Sequence, residues 1–300
     1  MDIDTLKNYQ GDFTVRLVED TDHLLPQILE GKKLVGTYDY NRKPATDEIV
    51  VIIGDYPVSK KSLVISNPMK RNYKWGLKFN YDEFEGHDCW NSIDCIWVIN
   101  SDDRPDRLFD ILREFKKMEV PLNKVFRQSG IVDNSTQNHY VNGLLGCFKS
   151  HISILEKLQN VDFKNILIVE DDFTFSDPIE DNKNSLCKFF NRGYKYDVLL
   201  LATSAEGELK EVDDLVSHSF QPCTTTSGFI LSKQGLQKVL PLWQEANHNL
   251  LHTWNFNVWA CDRYWSVIQK DKTMYSFNRK LGYQRPSFSQ TSKTLAYNLD

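Results

Sequence analysis

The chain has 300 residues, of which 41% are hydrophobic and 26% charged, with a formal net charge of −5. That composition supplies a sizeable core and excludes a disordered chain, and the length allows one large domain or two smaller ones. The acidic balance, with no lysine/arginine block, excludes a general electrostatic grip on nucleic acid or on an anionic membrane surface. Six scattered cysteines form no C-x-x-C pair, so neither a zinc pattern nor a disulfide framework is expected; reduced thiols in a cytosolic setting are the simplest reading. The N-terminus has no charged-then-apolar leader pattern, and no apolar run approaches the length of a bilayer span. A soluble, cytoplasmic protein without a transmembrane segment is expected.

Residues 1–92 read as a small N-terminal extension of unassigned role. Strand-like pieces at 13–18, 49–53 and 62–65 alternate there with polar, Gly- and Pro-containing stretches. From residue 93 to 300 the pattern becomes α/β. A buried strand is expected over Cys95–Ile99, followed by Asn100-Ser101-Asp102-Asp103 and by Pro105, a residue at home in a helix's first turn. Leu108, Ile111, Leu112, Phe115 and Met118 then recur at helical spacing. A short strand near Val125 precedes a polar loop through Asn138. A helix follows, its apolar face running from Val141 to Leu155. Further strands are expected at 166–169, 197–201 and 228–231, the last leading into a helix capped by Ser232. Strands alternating with helices imply a largely parallel sheet covered on both faces.

The most informative stretch is Ile166-Leu167-Ile168-Val169-Glu170-Asp171-Asp172: four apolar residues running into three carboxylates. A buried strand would place the acids at its carboxyl end, where open α/β sheets bind ligands. Strand alternation would turn Glu170 and Asp172 to one side together. Clustered carboxylates repel unless a cation neutralises them, and hard oxygen ligands suit Mg²⁺ or Mn²⁺ held against a phosphate. The same acids also fit a solvated loop, a helix's first turn, or the acidic pair of phosphoryl-transfer receivers and nucleases. The chain lacks G-x-G-x-x-G, the P-loop pattern and G-x-S-x-G, which removes the main support for dinucleotide oxidoreductases, P-loop enzymes and α/β-hydrolases. His248 and His252 have a helical metal spacing but no accompanying glutamate, and read as a structural or solvent-exposed pair.

Three segments then occur in order: Ile99-Asn100-Ser101-Asp102-Asp103-Arg104-Pro105-Asp106-Arg107, Gly146-Cys147-Phe148-Lys149-Ser150-His151, and Leu167-Ile168-Val169-Glu170-Asp171-Asp172. Together they resemble glycosyltransferase family 25, which includes lipooligosaccharide and collagen galactosyltransferases and related proteins in large DNA viruses. A viral setting would place the protein in host cytoplasm or in the virion. The resemblance covers about residues 93–290. It implies a GT-A-like, Rossmann-related fold, a UDP-hexose donor, Mn²⁺ or Mg²⁺, a glycan or glycoprotein acceptor, and inversion at the anomeric carbon. Glu170, Asp171 and Asp172 match the family's metal and diphosphate motif, with Asp172 favoured as direct ligand. Asn100, Arg104 and Arg107 would face the nucleotide; the alternative for the arginines is surface pairing with Asp103 or Asp106, worth little. Ser150 and His151 would stand beside the nucleotide, hydrogen-bonding ribose or shaping the loop after the acids; the alternative for His151 is a satisfied packing residue.

Asp262, in Cys261-Asp262-Arg263-Tyr264-Trp265, resembles a second acidic position and is the candidate base; its alternative is a helix cap. Gln284 matches a C-terminal glutamine of the family, and Arg285 beside it would help to hold the leaving UDP. The chain departs from the family in reading Ser287-Phe288-Ser289-Gln290 where a Ser-Asp pair is common, and in its polar turn at Ser101-Asp102-Asp103. Thr224–Ser227 offers hydroxyls to a sugar or serves simply as a loop. A different class of function, a non-catalytic carbohydrate-binding or virion surface protein on the same scaffold, would bind glycan without UDP or metal. The sequence leaves donor hexose, acceptor and oligomeric state open.

Overall fold

The computed structural model describes residues 86–102, 104–205, 209–219 and 223–285, together with short strands outside these limits. Four of those strands are N-terminal: β1 (Phe13–Leu17), β2 (Leu34–Thr37), β3 (Ile49–Gly54) and β4 (Ser62–Ser66). They form a separate sheet in the order β2-β1-β3-β4. Three of them fall where strand-like pieces are expected.

The main domain is built on an eight-stranded sheet. Its first half runs β5 (Cys95–Asn100), α1 (Pro105–Lys117), β6 (Val125–Ser129), α2 (His139–Leu158), β7 (Asn165–Glu170), β8 (Phe173–Phe175) and α3 (Ile179–Arg192). The second half runs β9 (Val198–Leu200), β10 (Ser204–Ala205), β11 (Leu209–Glu211), β12 (Val216–Ser219), β13 (Cys223–Thr224), β14 (Gly228–Ser232) and α4 (Lys233–Thr253). It ends with α5 (Phe256–Trp259), α6 (Cys261–Tyr264), α7 (Ser266–Gln269), β15 (Met274–Phe277) and β16 (Gly282–Gln284).

The strand order is β11-β12-β15-β9-β14-β7-β5-β6. β7, β5 and β6 pair in parallel, as do β15 and β9, while β14 and β12 run against their neighbours. The expected α/β sheet is therefore present and most strands share one direction, but it is mixed. The reason lies between β9 and β14. Among the described residues no crossover helix carries the chain back across the sheet there; short strands occupy the connection, and β14 starts at the edge where β9 ends and runs back antiparallel.

Strand alternation assigns each face a core. On β7, Leu167 and Val169 join Leu108, Ile111, Leu112 and Phe115 of α1 and Leu186 and Phe189 of α3. Ile166 and Ile168 turn to the opposite face and join Leu145, Phe148 and Leu155 of α2 and Leu236, Val239 and Trp243 of α4. Helices thus cover both faces, the arrangement that near-continuous apolar strands require. The packed domain begins upstream of residue 93. Trp90 is fully buried and its Nε1 donates to the Met118 carbonyl at 2.9 Å.

Local signals explain the helix ends that matter to the site. Pro105 is the first residue of α1. The Asn138 side chain accepts from the Tyr140 and Val141 amides at the start of α2, and Ser232 accepts from the Gly235 amide at the start of α4. Among the described residues no helix is long and apolar enough to cross a membrane.

Candidate active site

Because β5 and β7 are parallel neighbours, with Ile99 opposite Glu170, their carboxyl ends meet at one edge of the sheet. Asn100 ends β5 and is almost fully buried. Its Nδ2 donates to the Arg104 carbonyl at 2.7 Å and to Asp171 Oδ2 at 2.8 Å. One side-chain amide thus ties the start of α1 to the acidic turn. One turn into the helix, Arg107 Nη1 donates to Asp171 Oδ1 at 2.9 Å and to Asp172 Oδ2 at 3.2 Å. Arg104 is 3% exposed and lies close enough for its charge to act on Asp171. Arg107 is 8% exposed and brings its charge to the two aspartates that follow β7.

The strand ends at Glu170 and a turn begins at Asp171, so strand alternation stops there. Asp171 and Asp172 share Arg107, while Glu170 meets a different set of partners. Glu170 Oε1 accepts from Thr226 Oγ1 at 2.8 Å and lies 3.8 Å from Cys147 Sγ and from His151 Nε2 of α2. Strand alternation does not extend past Glu170, yet Glu170 and Asp172 stay close enough for the Asp172 charge to act on Glu170, as the expected pairing requires.

The far side of the acidic turn is closed by the C-terminal segment. β8 pairs with β16, Phe173 opposite Gln284. Gln284 Nε2 donates to Asp172 Oδ2 at 3.2 Å, and the Arg285 amide donates to the Asp172 carbonyl at 2.7 Å. The Arg285 guanidinium donates to the Asp171 carbonyl at 3.3 Å and pairs with Asp110 of α1 at 3.2 Å. Residues more than a hundred positions downstream thus complete the site. Arg279, in the same basic stretch, turns away to the Asn182 side chain.

Asp262 lies in the first turn of α6, whose cap position is Ala260. Its Oδ2 accepts from the Thr225 amide at 3.0 Å. Thr225 has φ +80°, a conformation that a β-branched residue adopts only when its surroundings impose it. Asp262 and Glu170 hold the two ends of this bent loop, Asp262 through Thr225 and Glu170 through Thr226.

Ser150 and His151 are 1% and 0% exposed. Ser150 Oγ donates to the Gly146 carbonyl and accepts from the Ile131 amide. His151 Nδ1 lies 3.0 Å from the Cys147 carbonyl, and the ring packs against Phe229 and Trp243. Both side chains are enclosed by protein, and neither presents an exposed atom at the edge of the sheet. Their place on the inner face of α2 follows from the apolar neighbours Phe148, Ile152 and Leu155 that share it. His248 and His252 are exposed, their rings 4.5 Å apart.

Burial and mutual repulsion set the electrostatics. The Glu170 carboxyl is pushed up to about 8, first by burial and then by the neighbouring Asp172 charge. Burial also raises Asp171, against the lowering effect of Arg107. His151 is depressed to about 4 by its burial, which keeps the ring neutral at ordinary pH. Two further residues that the sequence does not mark as site residues join the arrangement: Arg127, outside every motif, and Cys261, at the start of the segment that holds Asp262. Arg127, in β6, donates to Asn100 Oδ1 at 2.9 Å and to the Asn100 carbonyl at 3.1 Å, and Cys261 approaches Cys147 and Thr226. Only the adjacency of β6 to β5 reveals the first, since nothing local in Val125–Ser129 marks an arginine as functional.

An acidic turn held by arginines and amides thus stands at the carboxyl edge of the sheet, the place where open α/β sheets bind ligands. The chain belongs to glycosyltransferase family 25: the family model described as "Glycosyltransferase family 25 (LPS biosynthesis protein)" matches residues 99–254, just over half of the sequence. A "Glycosyltransferase 25 family member" of Drosophila melanogaster is 24% identical over 172 residues. That match covers 50% of this chain but only 28% of the fly protein. Similar solved structures include A197 from STIV, at 13% identity over 69% of this chain and 95% of that one, with a TM-score of 0.36. A glycosyltransferase involved in the glycosylation of the major capsid of PBCV-1 is 9% identical over 58% of this chain and 74% of that one, with a TM-score of 0.34.

Proposed function

We propose that this chain is a metal-dependent, inverting glycosyltransferase that moves a hexose, galactose or glucose, from a UDP-sugar to a hydroxyl of a glycan or glycoprotein. The observation that carries the reading is the joining of Asp171 and Asp172 to Arg107, closed from the far side by Gln284 and Arg285. A diphosphate entering this edge meets the guanidinium groups of Arg104, Arg107 and Arg285, and planar guanidinium suits phosphate oxygens in paired hydrogen bonds.

The acids fit a divalent cation at one atom in particular. Asp172 Oδ1 is buried and has no hydrogen-bond partner among the described residues. Leaving such an oxygen unsatisfied is costly, and a cation would satisfy it. Both oxygens of Asp171 are instead engaged by Arg107 and Asn100, so Asp171 orients these groups and Asp172 is the direct ligand. Mn²⁺ or Mg²⁺ bound there would neutralise charge on the departing diphosphate.

Asp262 is the base. It receives the proton of the acceptor hydroxyl as that oxygen bonds to the anomeric carbon and the bond to the diphosphate oxygen breaks, with inversion. The Thr225 amide fixes the orientation of its carboxylate. Arg104, Arg107 and Arg285 accept the charge that develops on the leaving group. A panel of UDP- and GDP-sugars assayed for Mn²⁺-stimulated hydrolysis tests the reading. One UDP-hexose should stand out, and a flat panel with or without Mn²⁺ would overturn it.

A further inference from the structure

Beneath the acidic turn, side chains from three separate elements converge on one point. Cys147 and His151 come from adjacent turns of α2, Glu170 from the end of β7, and Cys261 from the start of α6. The ligand atoms of Cys147, His151 and Glu170 all lie within 4.8 Å of one another. Glu170 Oε1 is 3.8 Å from Cys147 Sγ and 3.8 Å from His151 Nε2. Cys261 Sγ lies against Cys147 and 3.8 Å from Thr226 Oγ1. Both thiols are unbridged.

His151 makes this cluster point to a ligand. The ring is wholly buried, and its Nε2 faces Glu170 and the Thr226 backbone without a well-formed hydrogen bond to either. Nδ1 faces the Cys147 carbonyl at 3.0 Å. A proton on Nδ1, donated to that carbonyl, leaves the Nε2 lone pair aimed into the cluster. This is how a backbone carbonyl usually orients a metal-bound imidazole. The second Cys/His group among the described residues, His87, Cys89 and Cys187, lacks this feature, since His87 Nδ1 already accepts from the Cys89 amide.

We propose that Cys147 Sγ, His151 Nε2, Glu170 Oε1 and Cys261 Sγ form a site for a thiophilic divalent cation of the zinc type, separate from the cation assigned to Asp172. Tetrahedral zinc, with Zn–S about 2.3 Å and Zn–N or Zn–O about 2.0–2.1 Å, needs ligand atoms roughly 3.3–3.6 Å apart. The 3.8 Å separations of Glu170 from Cys147 and His151 lie a few tenths of an ångström outside that range, and Cys261, which stands outside the group of three, completes the shell only as its side chain turns towards the ion. The two thiols bind as thiolates and release their protons to solvent. The Glu170 side chain is 21% exposed, which leaves the ion an entry path. Loading joins β7 to α6, the helix that carries Asp262. No C-x-x-C signals the site because its ligands are discontinuous in sequence; only Cys147 and His151, four residues apart on one helix face, show a metal spacing.

The test uses the full-length reduced protein, stripped with chelator and titrated with Co²⁺ as a spectroscopic probe. One equivalent should bring up thiolate-to-cobalt charge-transfer absorption with the intense visible bands of a tetrahedral ion. Cys147→Ser should weaken the charge-transfer band and Cys147→Ser/Cys261→Ser abolish it, with unchanged unfolding midpoints in chelator. Cobalt binding without a thiolate band, or a band that survives in the double variant, would overturn the assignment. X-ray absorption on the zinc-loaded natural sequence needs no variant: a shell of two sulfurs and two light atoms supports the site, and a shell of oxygen and nitrogen alone rejects it. Neither readout depends on sugar transfer.

Discussion

Arg107 and Asp171 are joined at 2.9 Å across 64 positions of sequence, and the same Arg107 nitrogen reaches Asp172 at 3.2 Å. One guanidinium thus bridges two neighbouring carboxylates. These groups are about nine-tenths buried, so removing the arginine takes away the one charge they share and leaves Arg104 and neutral donors as their remaining partners. Arg107→Ala should destabilise the protein by about 3 kcal/mol in urea unfolding near neutral pH. The loss should shrink as acid protonates the pair. An equal loss at every pH would show that Arg107 matters only for packing.

The general plan of this domain is legible in the sequence because apolar runs such as Ile166–Val169 are buried on both faces and Pro105, Asn138 and Ser232 mark helix starts locally. Other features depend on pairing that no local pattern encodes. The reversed direction of β14 follows from the connection before it. The grip of Arg127 on Asn100 exists only because β6 lies beside β5. The place of the acids at the carboxyl end of β7 was legible, but the different partners of Glu170 and of the Asp171–Asp172 pair were not, because they depend on the residue at which the strand ends. For His151 the sequence left a packing residue and a functional one side by side; its burial is decided by Phe229 and Trp243, which are far away in sequence.

Two groups give the metal-free protein opposed pH dependences. Glu170 moves from an ordinary 4.5 up to about 8 on folding. The folded state therefore holds its proton where the unfolded state does not, and stability falls as pH rises between these values. His151 moves from 6.5 down to about 4, so its contribution rises with pH between these values. The two slopes oppose each other below pH 6.5, and above it only the Glu170 fall remains. Each unit of pKa is worth about 1.4 kcal/mol. Stability in chelator should therefore decline from pH 6.5 to 8, and Glu170→Gln should flatten that limb. A decline of the same slope in the variant would place its origin elsewhere.

Gly146 is required by close approach. A Cβ at this position would lie 2.4 Å from the Ile131 carbonyl oxygen, at the loop whose Ile131 amide is held by Ser150. Alanine would raise the helix propensity of α2 by about 1 kcal/mol, but the overlap is with backbone, which yields little. Gly146→Ala should be net destabilising by about 1–3 kcal/mol in chemical denaturation. A stabilised variant would contradict this packing.

Asp262→Asn keeps the size of the side chain and leaves an oxygen to accept from the Thr225 amide, but removes the base. The variant should retain its unfolding midpoint and its binding of UDP with Mn²⁺ while losing about 10²–10⁴-fold in transfer rate. A parallel loss of UDP binding would make Asp262 part of the donor site instead.

The central claim is that Asp172 holds the cation that holds the diphosphate. It is tested most directly by Mn²⁺-dependent UDP-sugar turnover in Asp172→Asn, measured beside its circular dichroism and unfolding midpoint. Abolished turnover in a folded variant is the predicted result, and full activity in that variant would contradict the assignment.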